Sequence, residues 1–193
     1  MLDPSERPAG KNGRGRAFPP ETHRTLIYAR NRKAGLRGKT TEMNEYVKRF
    51  DQLTLEELYR ILKLRVDVFV VEQYCPYAEL DGLDTAALHV WIEEGGEIRA
   101  YLRVMDRGAE SEHVSIGRVI AAKRGCGLGS RVLQIGIRAA EEIYRADAIY
   151  LEAQTYARGL YEKQGFRQIS DEFLLDGIPH IKMLREKTHG IAP

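Results

Sequence analysis

The sequence predicts an α/β (α+β) fold, a single mixed sheet with helices on its faces. Three observations point there. Apolar runs of strand length alternate with amphipathic stretches of helical period. Two turn signals, Gly95-Gly96 and Asp176-Gly177, join neighbouring runs as hairpins. A glycine-rich turn at 125–129 stands between a strand and an amphipathic helix.

Each element has its own signal. Residues 46–50 read as a short first strand. Thr54-Leu55-Glu56-Glu57 is a capping box, in which Thr54 and Glu57 satisfy the orphan N–H groups of a helix start. Leu55, Leu58, Ile61, Leu62, Val66 and Phe69 then repeat at helical spacing, which predicts a helix over about 55–70. Cys75-Pro76 and Asp81-Gly82 mark an irregular loop. Residues 88–93 and 98–105 form a hairpin, and 113–121 reads as another strand. The next helix spans about 129–144, with Val132, Leu133, Ile135, Gly136, Ala139 and Ala140 on its inner face. Residues 148–151 are a short buried strand, and 156–164 a short helix stopped by Gly165. Strand character returns around 168–169, 173–175 and 180–184.

The charge is unevenly spread. Of the net +2, residues 1–40 carry +7, ten Lys/Arg against three acids, so the remainder carries −5. The leader, 1–42, is rich in Gly, Pro and Arg and has no periodicity. Such a segment is expected to stay disordered and to touch nucleic acid weakly at most. A domain over 43–187 and a tail over 188–193 complete the expected organisation. No apolar run reaches the roughly 18–20 residues that span a bilayer. Two distant cysteines, Cys75 and Cys126, make neither a disulfide framework nor a tetrahedral zinc set, so a cytoplasmic protein without a metal is expected. A homodimer stays open.

Arg124-Gly125-Cys126-Gly127-Leu128-Gly129-Ser130 is the central motif. Glycines at a strand-to-helix turn let backbone N–H groups converge on an anion, and the helix N-terminus adds partial positive charge. A pyrophosphate is the natural ligand. The P-loop pattern fails for want of its Lys. The dinucleotide pattern fails because its third glycine falls at Ser130. R-x-x-G-x-G remains.

Further on stands Ala157-Arg158-Gly159-Leu160-Tyr161-Glu162-Lys163-Gln164-Gly165-Phe166. Together the two motifs resemble motifs A and B of the GNAT acetyltransferases. The resemblance implies a mostly antiparallel twisted sheet whose two central parallel strands splay apart around acetyl-CoA. It implies that Val119, Ile120, Ala121, Arg124, Gly125, Cys126, Gly127, Leu128, Gly129, Ser130, Leu160 and Tyr161 hold the acyl donor, with Tyr161 protonating the leaving thiolate. A second set, Leu64 to Gln73, Cys75-Pro76-Tyr77, Asp81-Gly82-Leu83-Asp84, His89, Ile116 to Val119 and Asp176 to His180, is similar to the ElaA-like branch, over about 44–187.

On the acceptor side the expectation is a primary amine of a small molecule or peptide. Arg65, a charge on an apolar stripe, must be paired or functional, with Asp81, Asp84 and Glu72 as candidate partners. Glu72 ends the first helix and is the candidate for amine recognition or deprotonation, beside Gln73. Tyr77, Asp81, His89, Gln154 and His180 are further acceptor candidates. Arg118 could take an acceptor carboxylate, or form an ion pair with Glu152 or Asp81. Cys126 reads as a small filler. Two alternatives stay open: an acyl-homoserine-lactone-synthase-like acyltransferase, and a non-catalytic acyl-CoA-binding module.

Overall fold

A computed structural model describes residues 42–187 apart from position 124. The leader before residue 42, Arg124 and the tail 188–193 lie outside the described residues.

β1 (Met43–Arg49), β2 (Leu88–Glu94), β3 (Glu97–Met105) and β4 (Val114–Ala121) pair antiparallel in succession. β5 (Ala148–Gln154) lies parallel to β4 and antiparallel to β8 (Ile178–Glu186). β6 (Arg167–Gln168) and β7 (Phe173–Leu175) both pair with β8, so the sheet runs β1-β2-β3-β4-β5-β8-β6. Both hairpin signals become two-residue turns with φ positive at each central residue: 62° and 80° at Gly95 and Gly96, 49° and 78° at Asp176 and Gly177. That geometry matches the twist of the flanking strands.

Among the described residues three α-helices cover the sheet: α1 (Leu55–Val66), α2 (Leu128–Ile143) and α3 (Arg158–Glu162). At the start of α1, Thr54 Oγ1 accepts the Glu57 N–H at 3.1 Å, and Glu57 accepts the Thr54 N–H at 2.9 Å, which closes the capping box. Strand alternation sorts the core into two layers. On one face Val90, Ile92, Ala100, Leu102 and Val104 pack with the apolar face of α2. On the other, Trp91 and Tyr101 meet Ile61 of α1 and Ile120.

Several boundaries differ from expectation, β5 running on to Gln154 and β8 covering Ile178–Glu186 among them, and two have a plain physical reason. β1 starts at Met43 because Asn44 and Glu45 keep register with Glu93 and Ile92, and an edge strand tolerates polar residues. The α-helical bonding of α1 ends at Val66 and widens to a π-turn over Asp67–Glu72. The Gln73 N–H reaches the Val68 carbonyl, and the Cys75 N–H reaches that of Val70. Such single wide turns concentrate at functional sites. Val68, Phe69, Glu72 and Gln73 all line the cleft described next.

Candidate active site

The sheet opens between β4 and β5. The two strands pair only at Val114↔Ile149 and Ser115↔Tyr150, then diverge. β5 stays paired with β8 along its whole length, so β4 is the strand that leaves. Between Gly117 and Ile120 its register against β3 slips by one residue, and Arg118 there takes φ 54°. This is a β-bulge, which bends and twists its strand. The opening is a cleft of about 590 Å³. One wall is β4 from Ile116 to Ala121, including Val119 and Ile120. The other is β5 from Tyr150 to Gln154.

The glycine turn meets the cleft at Gly129, while Gly125, Cys126, Gly127, Leu128 and Ser130 lie outside its lining. Gly125 and Gly127 have φ 77° and 82°, where a Cβ is disfavoured. Gly127 is the N-cap of α2 and supplies no side-chain cap, so the first N–H groups of the helix, at Leu128, Gly129 and Ser130, have no intrahelical acceptor. A Cβ built at Gly125 or Gly127 meets nothing within 4 Å, which leaves the backbone open to approach. Cys126 is exposed, and its thiol donates to the Lys123 carbonyl at 2.9 Å. A helix start whose first amides have no side-chain cap suits a pyrophosphate.

Leu160 and Tyr161, on α3, line the cleft from the β5 side. A Cβ at Gly129 would stand 3.4 Å from Leu160 Cδ2, so the starts of α2 and α3 touch closely there. Tyr161 is 7% exposed, packs edge-on to Phe166, and makes no hydrogen bond through its hydroxyl among the described residues. Burial raises its pKa, so the hydroxyl keeps its proton.

A GNAT acetyltransferase domain model matches residues 57–187. The chain belongs to the GNAT acetyltransferase family. Within the family it is ElaA-like. It is 35% identical to the Escherichia coli protein ElaA over 139 residues, 70% of this chain and 91% of that one. The crystal structure of ElaA superposes with a TM-score of 0.70 at 33% identity, covering 75% of this chain and 99% of that one. An acyl-CoA N-acyltransferase structure from Pseudomonas aeruginosa gives 0.69 at 40% identity, covering 73% and 98%. The enzyme is thus an acyl-CoA-dependent acetyltransferase. Among the described residues, no helix is long and apolar enough to cross a membrane.

The far end of the GNAT cleft gathers most of the acceptor candidates. Glu72, Gln73, Tyr77, Gln154, Arg118 and His180 all line it, together with Cys75 and Asp176. The Gln154 amide donates to Gln73 at 3.2 Å, which ties the π-turn to β5. The Cys75 thiol donates to the Asp176 carbonyl at 3.7 Å. His180 Nδ1 lies 2.7 Å from the Ile178 carbonyl, so Nδ1 carries the hydrogen and Nε2 is left as an acceptor.

Arg65, Asp81 and His89 are not brought to the cleft. Arg65 and His89 are 0% exposed, between α1 and the sheet, where no acceptor can reach them. Arg65 donates to Glu79 at 2.8 Å and to Asp84 at 2.5 Å, so Asp84 but not Glu72 or Asp81 is its partner. Asp81 instead takes a bidentate bond from Arg103, at 2.7 and 2.8 Å, and a third from Arg118 at 3.1 Å. Burial opposes its charge, but Arg103 holds the carboxyl down at about 2. Arg103 also meets Glu110 at 2.8 Å. His89 Nε2 donates to the Asp84 carbonyl at 3.1 Å, which leaves Nδ1 to accept from the Tyr101 hydroxyl at 2.8 Å. Burial depresses its pKa to about 4.

Sequence reasoning missed Glu79, Arg103 and Glu110. Glu79 and Glu110 lie in loops without periodicity. Arg103 did carry a signal, a charge within the buried, otherwise apolar or aromatic run of residues 100–105.

Proposed function

We propose that this enzyme moves an acetyl group from acetyl-CoA directly to a primary amine, with both substrates bound at once. One observation supports this reading best: a single cleft runs from Gly129, in the glycine turn, to the acceptor candidates and is lined by Tyr161 and the bulged edge of β4 on the way. Acetyl-CoA supplies the acetyl group as a thioester. The backbone of Gly125 to Ser130 would hold its pyrophosphate, and the unpaired edge of β4 at Val119 to Ala121 would orient its pantetheine arm and polarise the carbonyl. Tyr161 would donate its proton to the departing sulfur. Glu72 would recognise or deprotonate the amine, directly or through water. The His180 ring, with Nδ1 fixed as donor, offers a second base at Nε2.

The test is thiol release from acetyl-CoA in the presence of primary amines, polyamines, amino acids and peptides, with the acetylated product identified by mass. Acceptor-dependent release is the expected outcome. If acetyl-CoA binds but no acceptor gives release or product, the non-catalytic reading replaces this one. Comparing Glu72→Gln with His180→Gln assigns the base, since removing it lowers kcat/KM most where the amine is charged.

A further inference from the structure

Arg118 lines the cleft, yet its guanidinium is committed to the loop after α1. Nε donates to Glu79 Oε1 at 2.9 Å, and Nη2 reaches the Glu79 carbonyl at 3.4 Å and Asp81 Oδ2 at 3.1 Å. Its Cζ stands 5.7 Å from the centre of the Tyr77 ring. The anchors are themselves fixed. Glu79 Oε1 also accepts from buried Arg65 at 2.8 Å, and Asp81 is gripped by Arg103. An acceptor carboxylate would therefore meet a guanidinium that already carries two carboxylates.

The backbone of the same residue is unusual. Arg118 has φ 54° at the point where β4 slips register against β3, just beyond its last pair with β5. A left-handed residue in a bulge is ordinarily glycine, because a Cβ resists that conformation. A side chain persists in such a state only where its surroundings over-determine it. Here they do so through the ion pairs of the side chain itself.

We propose that Arg118 is a positioning residue: tethered by Glu79 and Asp81, it holds the left-handed bulge that turns β4 out of the sheet, and so ties the loop over 73–84 to the acyl-donor wall. The amides of Val119 to Ala121 follow directly on that bulge, so their aim depends on it. The inference rests on the reading of this cleft as the acyl-donor site.

Three full-length variants test it: Arg118→Gly, Arg118→Ala and Glu79→Gln. Glycine takes the left-handed conformation without a tether, whereas alanine keeps the Cβ and loses the tether. Arg118→Gly should then bind acetyl-CoA about ten-fold more tightly than Arg118→Ala in titration calorimetry, the ratio that a Cβ penalty in this region implies. Glu79→Gln should move with Arg118→Ala, raising the Kd for acetyl-CoA rather than only the KM of the amine. If Gly and Ala raise the amine KM equally and leave acetyl-CoA affinity alone, the guanidinium touches the acceptor and the proposal fails. Melting temperature gives a readout that needs no ligand. Glycine should melt at or above alanine at this position, the reverse of the usual order in a strand. If wild type does not bind acetyl-CoA, the functional reading fails, and the order of melting still decides the bulge. Alanine melting clearly above glycine overturns it.

Discussion

Tyr161 is buried and lines the cleft, and burial keeps its hydroxyl protonated. Burial thus keeps the donor in the protonated form it needs but opposes the transfer itself, so the proton can move only once the departing sulfur has built up charge. Tyr161→Phe keeps the ring and its edge contact with Phe166, so packing should be little disturbed. The expected result is unchanged acetyl-CoA affinity and a kcat lower by roughly 10²–10⁴-fold, the usual share of acid–base catalysis. Steady-state and single-turnover rates check it, the latter because product release can mask chemistry. The raised pKa adds a pH criterion. Wild-type kcat should not fall through ionisation of Tyr161 as pH rises to 10, the ordinary tyrosine value. Full kcat in the Phe variant would hand the acid role to water.

Helices and strands were legible in proportion to how locally their signals are written. The capping box at Thr54, the hairpin glycines at 95 and 96, and the turn at 125–129 each depend on a few adjacent residues, and each folds as its pattern implies. The π-turn at Asp67–Glu72 was not legible. An extra residue in a turn leaves the apolar spacing of Val66 and Phe69 compatible with plain α-helix, and the choice is made by what that segment packs against. The close seating of α2 on β3 is intermediate, since Gly136 sits on the apolar stripe but its reason lies in another element. A Cβ at 136 would stand 2.8 Å from Leu102 Cδ1 and 2.9 Å from Cδ2. Helix propensity alone favours Gly136→Ala by about 1 kcal/mol. Overpacking a filled core costs about 1–3 kcal/mol, so the variant should be net destabilised. A lower denaturation midpoint at unchanged m-value is the expected observation, with partial recovery when Leu102→Val is added. A rise in midpoint would mean that Leu102 moves aside freely.

At the scale of the whole molecule, the mixed sheet and its splay were readable through the resemblance of two motifs, and the polar layer beneath α1 was readable only in part. The sequence offers Asp84 for Arg65 and Asp81 for Arg118, and both pairs form; Arg103, Glu79 and Glu110 join them from separate segments, and no local pattern announces those pairings. The proposed boundary at Met43 bears on this layer too, since the described residues that form it all lie after Met43. A chain starting at Met43 should match the full chain in melting temperature and acetyl-CoA affinity, and a large loss of either would refute that boundary. The layer also sets how the protein meets acid. His89 titrates at about 4 in the fold, against an ordinary value near 6.5, because burial favours its neutral ring. In the unfolded chain it takes up a proton first, so its contribution is complete above pH 6.5 and is lost as pH falls toward 4. Asp81, held at about 2 against 3.8, behaves likewise at lower pH: its contribution is complete above 3.8 and is lost as pH falls through 2. Melting temperature should therefore be level from pH 8 to 7 and begin to drop below about 6.5, before the carboxylates titrate. His89→Phe cannot take up that proton. It should melt lower at pH 7, having lost the bonds to Tyr101 and the Asp84 carbonyl, yet show a flatter decline between pH 6.5 and 4. Thermal melts of both proteins across this range decide the matter. An equally steep decline in the variant would place the acid sensitivity elsewhere in the molecule.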